Sequence, residues 1–343
     1  MPKTAILCTR LWELNVELPV EDLQLVHALQ IAPRASWAEL GAVLGRHPAT
    51  VSARWNKLRE DRMAWVLGHL GGFPEQHCTA FVEVLVNPEL IEQATIDLCA
   101  ISQVLTVDDA SSTADFRLTC LAADWLTMAR EVLPQIRNAT GVQRIKVSLC
   151  TRLFATGNIW RLDVLSPAQK ASLQRLSQPP TAQPTIIPDT FWPMLHVLMR
   201  DGRATATEIA QATGQHPSTT GRALKTALET GMVTLRCELA SHYTGYPLTV
   251  QWFARVPAGS EDAVAAFLTE HRTLRLCAST TGAANFTFTM QLRTPADVAD
   301  IEARLAARVP GVVIVESCVG VRSFKRMGWM LDSEGRPTGE VVV

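Results

Sequence analysis

The feature that most constrains the fold of this chain is an internal repeat. When the sequence is shifted by 169 positions, nine residues between positions 27 and 50 coincide, without a gap, with identical residues between positions 196 and 219. The members in the first copy are His27, Leu29, Arg34, Ala35, Glu39, Gly45, His47, Pro48 and Thr50. A period this long is not that of a solenoid. The sequence therefore predicts a tandem duplication in which each copy is itself a pair of domains.

Residues 33–58, which begin in the best-preserved part of the repeat, have the pattern of two short helices joined by a tight turn. The apolar stripe of the first helix comprises Trp37, Leu40, Val43 and Leu44. Gly45 then provides a residue that adopts the left-handed conformation of a helix C-terminus without steric cost. Pro48 suits the first turn of the following helix, where its missing N–H breaks no hydrogen bond.

The second of these helices has a buried face and a polar, basic face. Val51, Trp55 and Leu58 recur at helical spacing and are predicted to point inward. The adjacent polar, basic face predicts a helix-turn-helix that contacts double-stranded DNA. The candidate DNA-contacting residues are Arg46, Pro48, Ala49, Thr50, Ser52, Arg54, Asn56, Lys57 and Arg59 in the first copy, and Ser218, Thr219, Gly221, Arg222 and Lys225 in the second. The first copy, with more cations, is predicted to be the stronger DNA binder. The alternative is an ordinary helical hairpin whose basic face is only solvated.

The net charge, the cysteines and the lengths of the apolar runs limit the kinds of site that the chain can contain. The net charge is −1, so any nucleic-acid site has to be a local basic patch. The eight cysteines form no CxxC pair and no zinc-ligand spacing, and we expect neither a bound metal nor a cofactor. No apolar run approaches the roughly 18 residues that a membrane span requires. We expect a soluble, cytoplasmic protein.

The segments beyond each helix-turn-helix alternate between strand and helix patterns. Residues 63–70 are predicted to form a wing strand, and the following segment has the order βαββαβ, typical of a ferredoxin-like domain. Its last strand is predicted at Val142–Leu149, and the corresponding strand of the second copy at Val312–Arg322. The predicted fold class is α+β. The predicted boundaries are 1–70 and 189–240 for two winged helix-turn-helix domains, 71–165 and 241–327 for two ferredoxin-like domains, 166–188 for a linker and 328–343 for a C-terminal extension.

This order of domains resembles that of the Lrp/AsnC, or feast/famine, family of transcriptional regulators. The most specific segments are residues 44–52 and 213–221, which are similar to the family's turn and the start of its recognition helix. Residues 140–142 and 310–312 resemble the family's segment before the last strand. The resemblance implies a DNA-binding regulator that assembles as a homo-oligomer through its ferredoxin-like domains and responds to an amino acid or a related small molecule.

In that family the effector is bound by a polar loop between the second and third strands of the ferredoxin-like domain. The residues at the matching positions are Ser111, Ser112 and Asp115 in the first copy and Thr281, Gly282 and Asn285 in the second. Neither loop keeps the whole family pattern of Thr-Gly followed by Asp. The alternative is that both loops are plain hairpin turns, in which such residues are common.

Sirohaem decarboxylases, enzymes that share this architecture, are the alternative function. They carry a stretch rich in His, Tyr and Arg near the second and third strands of the ferredoxin-like domain. Here Val104–Leu118 has neither His nor Tyr, and Leu274–Phe288 offers only Arg275 as a candidate. Acid–base chemistry on tetrapyrrole carboxylates needs proton donors or cations at such positions. The sequence therefore favours the regulator and predicts that the chain is not an enzyme.

Overall fold

The structure, a computed structural model, describes residues 18–71, 77–157, 159–177 and 191–343. Most of the predicted N-terminal arm and the proline-rich part of the predicted linker lie outside these residues. The chain has a mixed α/β fold, with a helical N-terminal region and a body rich in β-sheet. None of the described helices combines the length and the apolar character that crossing a membrane requires.

The N-terminal region consists of three helices followed by a strand. They are α1 (Val20–Ile31), α2 (Trp37–Leu44), α3 (Pro48–Glu60) and β1 (Ala64–Leu70). The Ser36 hydroxyl caps α2 by accepting from the Glu39 N–H, while the Glu39 carboxylate accepts from the Ser36 N–H in return. Gly45 ends α2 at φ 64°, in the left-handed region. His47 Nδ1 accepts from the Ala49 N–H and caps α3, as its position before Pro48 allows.

The same local devices recur in the second half of the chain. The elements are α8 (Phe191–Arg200), α9 (Ala206–Thr213), α10 (Pro217–Glu229) and β6 (Val233–Leu239). Thr205 and Glu208 form the reciprocal cap of α9, and His216 caps α10. The repeated residues therefore specify the same chain path twice, through hydrogen bonds that are local in sequence.

The two helical sets are joined directly. Strands β1 and β6 pair antiparallel from Ala64 opposite Leu239 to Leu70 opposite Val233. Beside this ladder, Arg34 donates to the Gly202 and Ala204 carbonyls at 2.7 and 2.8 Å. Arg203 donates in return to the Pro33 and Ala35 carbonyls, and its guanidinium lies over the Trp37 ring at 4.1 Å. Each set thus satisfies backbone groups of the other.

The body contains two βαββαβ segments. In the first half the strands are β2 (Cys78–Val86), β3 (Val104–Ala110), β4 (Phe116–Ala122) and β5 (Val142–Ala155). Helix α4 (Ile91–Ala100) follows β2, and a continuous helical stretch follows β4, formed by α5 (Trp125–Thr127), a π-helical turn (Met128–Val132) and α6 (Leu133–Asn138). In the second half the elements are β7 (Leu248–Arg255), α11 (Glu261–Thr269), β8 (Leu274–Thr280), β9 (Phe286–Leu292), α12 (Ala296–Arg308) and β10 (Val313–Arg326).

The eight strands close into one antiparallel barrel in the order β3-β4-β2-β5-β8-β9-β7-β10, with β10 returning to β3. Strand β5 pairs with β2 as far as Leu149 and from Cys150 onward with β8. Strand β10 pairs with β7 as far as Gly320, and from there with β3. Both strands run beyond the ends predicted for them, because their second halves pair across the boundary between the two copies.

Two segments outside the barrel cover the helical sets. Helix α7 (Pro167–Leu176) packs with α1 in one core cluster, to which the buried residues Trp160 and Leu173 contribute. The C-terminal strands β11 (Trp329–Leu331) and β12 (Pro337–Val341) lie near α8, where Trp329 Nε1 donates to the Met199 carbonyl at 2.9 Å. The segment predicted as a turn-rich extension therefore contains a short strand pair, and Trp329 stands at the repeat position of Trp160.

His27 makes the packing of the first helical set sensitive to pH. Burial and the cations Lys170 and Arg161 lower the pKa of His27 to about 4. Unfolded histidine titrates near 6.5, so acid favours the unfolded chain, and this contribution to stability is lost as the pH falls from 6.5 toward 4. Between pH 7 and 4.5 we expect the wild type to lose about 2 kcal/mol more unfolding free energy than His27→Gln, measured by urea denaturation.

The matched control for this prediction is His216→Gln, because His216 lies in the second half of the chain and its side chain is exposed. That variant should keep the acid sensitivity of the wild type. Equal acid sensitivity of His27→Gln and the wild type would show that His27 does not supply the effect.

Candidate nucleic-acid interface and internal cavity

Helix α3 presents a polar surface to solvent. Val51, Trp55 and Leu58 are each 2% exposed, so their contacts with the core fix the rotation of the helix. The exposed residues of α3 and of the turn before it include Arg46, Ala49, Thr50, Asn56, Lys57 and Arg59, whereas Pro48, Ser52 and Arg54 are half-buried. Most of the predicted DNA-contacting residues of the first copy therefore share one accessible surface.

Several cations of this surface are already paired with carboxylates of the same chain. Arg54 donates to Asp22 of α1 at 2.8 Å, and Arg46 lies 3.6 Å from Glu21. Arg59 lies 3.1 Å from Asp201, at the end of the second set's first helix. Within the described ranges, no carboxylate lies at ion-pair distance from Lys57. Lys57 is thus the cation of this face that is most available to a phosphate.

The corresponding surface of α10 is less basic. Ser218, Thr219, Arg222 and Lys225 are exposed, and Gly221 is half-buried. Lys225 Nζ lies 3.7 Å from the carboxylate of Glu229, one turn later in the helix. The two helices therefore present similar backbone geometry with different charge.

The predicted effector residues lie where the two halves meet. Ser111 Oγ donates to the Val319 carbonyl of β10 at 2.7 Å, and Thr281 Oγ1 accepts from the Leu149 N–H of β5 at 3.0 Å. Asp115 accepts from the Val86 N–H at 2.7 Å, and Asn285 makes two hydrogen bonds with the Val256 backbone. Ser112 accepts from Arg117, and Gly282 has a φ of 109°. These side chains stabilise the two loops and the seams between the halves.

A cavity of about 730 Å³ lies between the barrel, the β1–β6 ladder and α8. Part of its wall is apolar and includes Leu121, Phe154, Trp192, Leu195, Met199 and Leu276. Other parts of the wall carry three arginines, Arg236, Arg275 and Arg326, together with Asp108. Its size falls in the upper part of the range of ligand pockets, roughly 300–1,000 Å³.

The arginines surround one buried carboxylate. Glu238, which is 0% exposed, accepts two hydrogen bonds from Arg275 Nη2, at 2.8 and 2.9 Å. Arg236 Nε lies 3.2 Å from the same carboxylate. Burial acts to raise the pKa of Glu238, but Arg275, Arg236 and Arg326 outweigh it, so the pKa is lowered and the group is ionised. Burial lowers the pKa of Arg236 to about 10, at which it keeps its proton near neutral pH.

Glycine makes room for this cluster. A Cβ at Gly157 would lie 2.1 Å from Arg236 Nη2, so a larger residue there would displace the guanidinium. Gly157 occupies the repeat position of Arg326. The corresponding positions for Arg236, Glu238 and Arg275 are Leu67, His69 and Thr106. The charged cluster therefore comes from the second copy alone, although the cavity has walls from both copies.

The cavity wall also contains buried polar atoms with no hydrogen-bond partner among the described residues. They include His69 Nε2, His77 Nδ1 and Gln291 Oε1. His69 Nδ1 lies 2.8 Å from the Leu70 carbonyl, which assigns the ring proton to Nδ1 and leaves Nε2 as an acceptor. Burial, with Arg236 nearby, lowers the pKa of His69 to about 4. Buried polar groups are normally hydrogen-bonded, so these atoms mark a place where a ligand would be complementary.

Comparison with known proteins connects the helical region to a family of DNA-binding domains. Residues 22–59 match the sequence model of the AsnC-type helix-turn-helix domain. This match includes α2, α3 and most of α1, and it supports DNA binding. Among curated proteins, none matches the chain significantly.

Among solved structures, the siroheme decarboxylase NirDL is similar over nearly the whole chain. The TM-score is 0.59 at 12% identity, over 89% of this chain and 92% of that chain. That enzyme has also been solved in complex with an iron-uroporphyrin III analogue. The Mycobacterium tuberculosis leucine response regulatory protein LrpA is similar over 41% of this chain and 97% of its own, with a TM-score of 0.37 and 18% identity. Escherichia coli AsnC is similar over 39% of this chain and 92% of its own, with a TM-score of 0.34 and 13% identity.

The prediction that the chain is not an enzyme is wrong. The solved structure that shares its fold over 89% of the chain, siroheme decarboxylase NirDL, is an enzyme. That prediction rested on the scarcity of His, Tyr and Arg within Val104–Leu118 and Leu274–Phe288 alone. The structure adds to Arg275 the side chains of Arg236 and Arg326, from strands outside those two segments. Distance along the chain concealed the cluster, since its members come from β6, β8 and β10.

Proposed function

We propose that this protein is a DNA-binding regulator that contacts double-stranded DNA through α3. The observation that carries the proposal is the AsnC-type helix-turn-helix match, whose second helix presents Thr50, Asn56 and Lys57 to solvent. Cations contribute affinity through phosphates, while polar side chains early in such a helix contact base edges. The pairing of β1 with β6 supports the proposal, because it holds α3 on a fixed base.

We also propose that the chain is a tandem duplication. Each half then contains a winged helix-turn-helix and a ferredoxin-like domain. The recurrence of the caps at Ser36 and Thr205, and of the left-handed glycines at positions 45 and 214, supports this description. The order βαββαβ in each half supports it as well.

Regulation by a small molecule and assembly into a homo-oligomer are further parts of the proposal. An amino acid or related effector at the loops of Ser111 and Thr281 would compete with hydrogen bonds that join the halves. Its binding would therefore alter the seams of the barrel. Coupling of that change to α3 would make DNA affinity depend on the effector, as linkage requires.

Lys57→Ala should weaken DNA binding without destabilising the fold, because Lys57 is exposed. Loss of one phosphate contact should lower the magnitude of the slope of log affinity against log salt by about 0.9. The measurement is fluorescence anisotropy with a duplex enriched from a random-sequence pool. The control is Arg175→Ala, an exposed cation on α7. An unchanged salt slope in Lys57→Ala would contradict the assignment of this surface.

The second helix should contribute less to affinity than the first. Arg222→Ala/Lys225→Ala should cost less affinity than Arg54→Ala/Lys57→Ala, because fewer cations surround the pair on α10 than the pair on α3. Arg54→Ala should also lower the melting temperature, since it leaves Asp22 without its partner. Titrations of each double variant against the same duplex provide the comparison. An equal loss from both double variants would assign equal roles to α3 and α10.

A second candidate function is catalysis in the cavity, favoured by the fold shared with siroheme decarboxylase NirDL. Decarboxylation breaks a carbon–carbon bond, releases CO₂ and places a proton on the remaining carbon, so the site has to supply that proton. Asp108 lines the cavity, and burial raises the pKa of its carboxyl group despite the opposing effect of Arg326. Asp108 is therefore the candidate donor.

The test is anaerobic incubation of the purified chain with siroheme, followed by mass spectrometry of the tetrapyrrole. If the cavity is catalytic, siroheme should lose CO₂ in the presence of the wild type. The rate of this loss should fall by about tenfold or more with Asp108→Asn. Asp109→Asn, a change in the neighbouring residue whose side chain lies on the other side of the strand, is the matched control. Intact siroheme after incubation with the wild type would exclude this candidate.

A further inference from the structure

We propose that the cavity binds one organic anion per chain, with the anionic group of the ligand on Arg326 and its apolar part against the aliphatic and aromatic wall. This inference does not depend on DNA binding; it concerns the same cavity as the second candidate function, but it requires only binding there and no reaction. It concerns a site built from the second copy's arginines, which lies apart from the predicted effector loops.

The charge balance of the cavity favours an anion. Arg236 and Arg275 share the single carboxylate of Glu238. Within the described residues, no carboxylate oxygen lies at ion-pair distance from Arg326. Asp108 also lines the cavity, but in the part of the chain that the structure describes three arginines there face only two carboxylates, Glu238 and Asp108, so the charges of this cluster sum to a positive value. A guanidinium that forms no ion pair among the described residues, in a cavity whose wall is partly apolar, attracts a carboxylate or a similar group.

The rigidity of the neighbouring pair makes Arg326 the receiving group. Glu238 holds Arg275 through two hydrogen bonds, and Gly157 allows Arg236 to approach closely. An incoming anion would share either of these arginines with Glu238 and would be repelled by that carboxylate. It can reach Arg326 without breaking a hydrogen bond of the protein. Arg236 and Arg275, which Glu238 holds in place, then add a positive potential around the bound ligand.

The size and the apolar wall define the rest of the ligand. A single amino acid is far smaller than a cavity of about 730 Å³. Leu195, Leu276, Phe154 and Trp192 would contact an aliphatic or aromatic body. The acceptors His69 Nε2 and Gln291 Oε1 would in addition suit a ligand with a hydroxyl or N–H donor. The ligand class is therefore an organic anion with a bulky apolar body.

The asymmetry of the repeat limits binding to one ligand. The first-copy counterparts of Arg275 and Arg326 are Thr106 and Gly157, which carry no charge. Beside α1, the chain itself takes up space: Trp160 is buried there, and Gln30 accepts from the Leu162 N–H. Beside α8, the residues of the helix line the open cavity instead. One side of the duplicated framework is filled by protein, while the other remains available.

The experiment uses two fluorescent probes of similar shape. Anilinonaphthalene sulfonate is an apolar anion, and phenylnaphthylamine is its uncharged analogue. The variant is Arg326→Met, and the matched control is Arg322→Met, an identical change on an exposed position of the same strand. Titrations of the full chain give the affinity and the stoichiometry, and circular dichroism of each variant monitors the fold.

We expect one high-affinity site for the anionic probe, weakened about tenfold or more by Arg326→Met and unchanged by Arg322→Met. The uncharged probe should bind both variants alike. If Arg326→Met unfolds, Arg326→Gln and the salt dependence of binding to the wild type provide the same test. Two equal sites per chain, or an anion affinity that Arg326 does not affect, would overturn the proposal. Loss of DNA binding in other variants would leave this result unchanged.

Discussion

The pairing of β1 with β6 is the interaction on which the rest of the structure depends. It joins elements that are 169 residues apart in the repeat, and so it brings the two helical sets together. The exchange of hydrogen bonds by Arg34 and Arg203 secures the same junction from the side. Because each arginine satisfies carbonyl groups of the other set, removal of either leaves buried acceptors without donors. The junction thus makes one structural unit of two repeated parts.

The sequence predicted the parts of the fold that local chemistry decides. Ser36, Gly45 and Pro48 determine where α2 ends and α3 begins, and each acts on residues within a few positions of itself. The prediction failed at the ends of β5 and β10. Beyond Leu149 and Gly320 these strands are stabilised by partners from the other half, which no local pattern reveals.

The cavity shows the same limit more strongly. Arg236, Arg275 and Arg326 are separated by about forty to fifty residues, and none belongs to a recognisable motif. A signal was nevertheless present in the repeat itself. At each of these positions one copy has an arginine and the other has Leu67, Thr106 or Gly157. These departures from an otherwise shared pattern change the charge at matching positions, and a comparison of the two copies for charge would have found them.

Closure of the barrel within one chain has a consequence for association between chains. An open sheet presents unpaired N–H and C=O groups at its edges, and those groups pair readily with a strand of another molecule. Here β10 pairs with β7 up to Gly320 and with β3 beyond it, and β5 is divided in the same way between β2 and β8. Unpaired backbone in the ring is therefore limited to parts of these two strands. Most of the barrel can join a larger assembly only through side chains on its outer surface, and the specificity of such contacts follows from shape and charge rather than from backbone pairing.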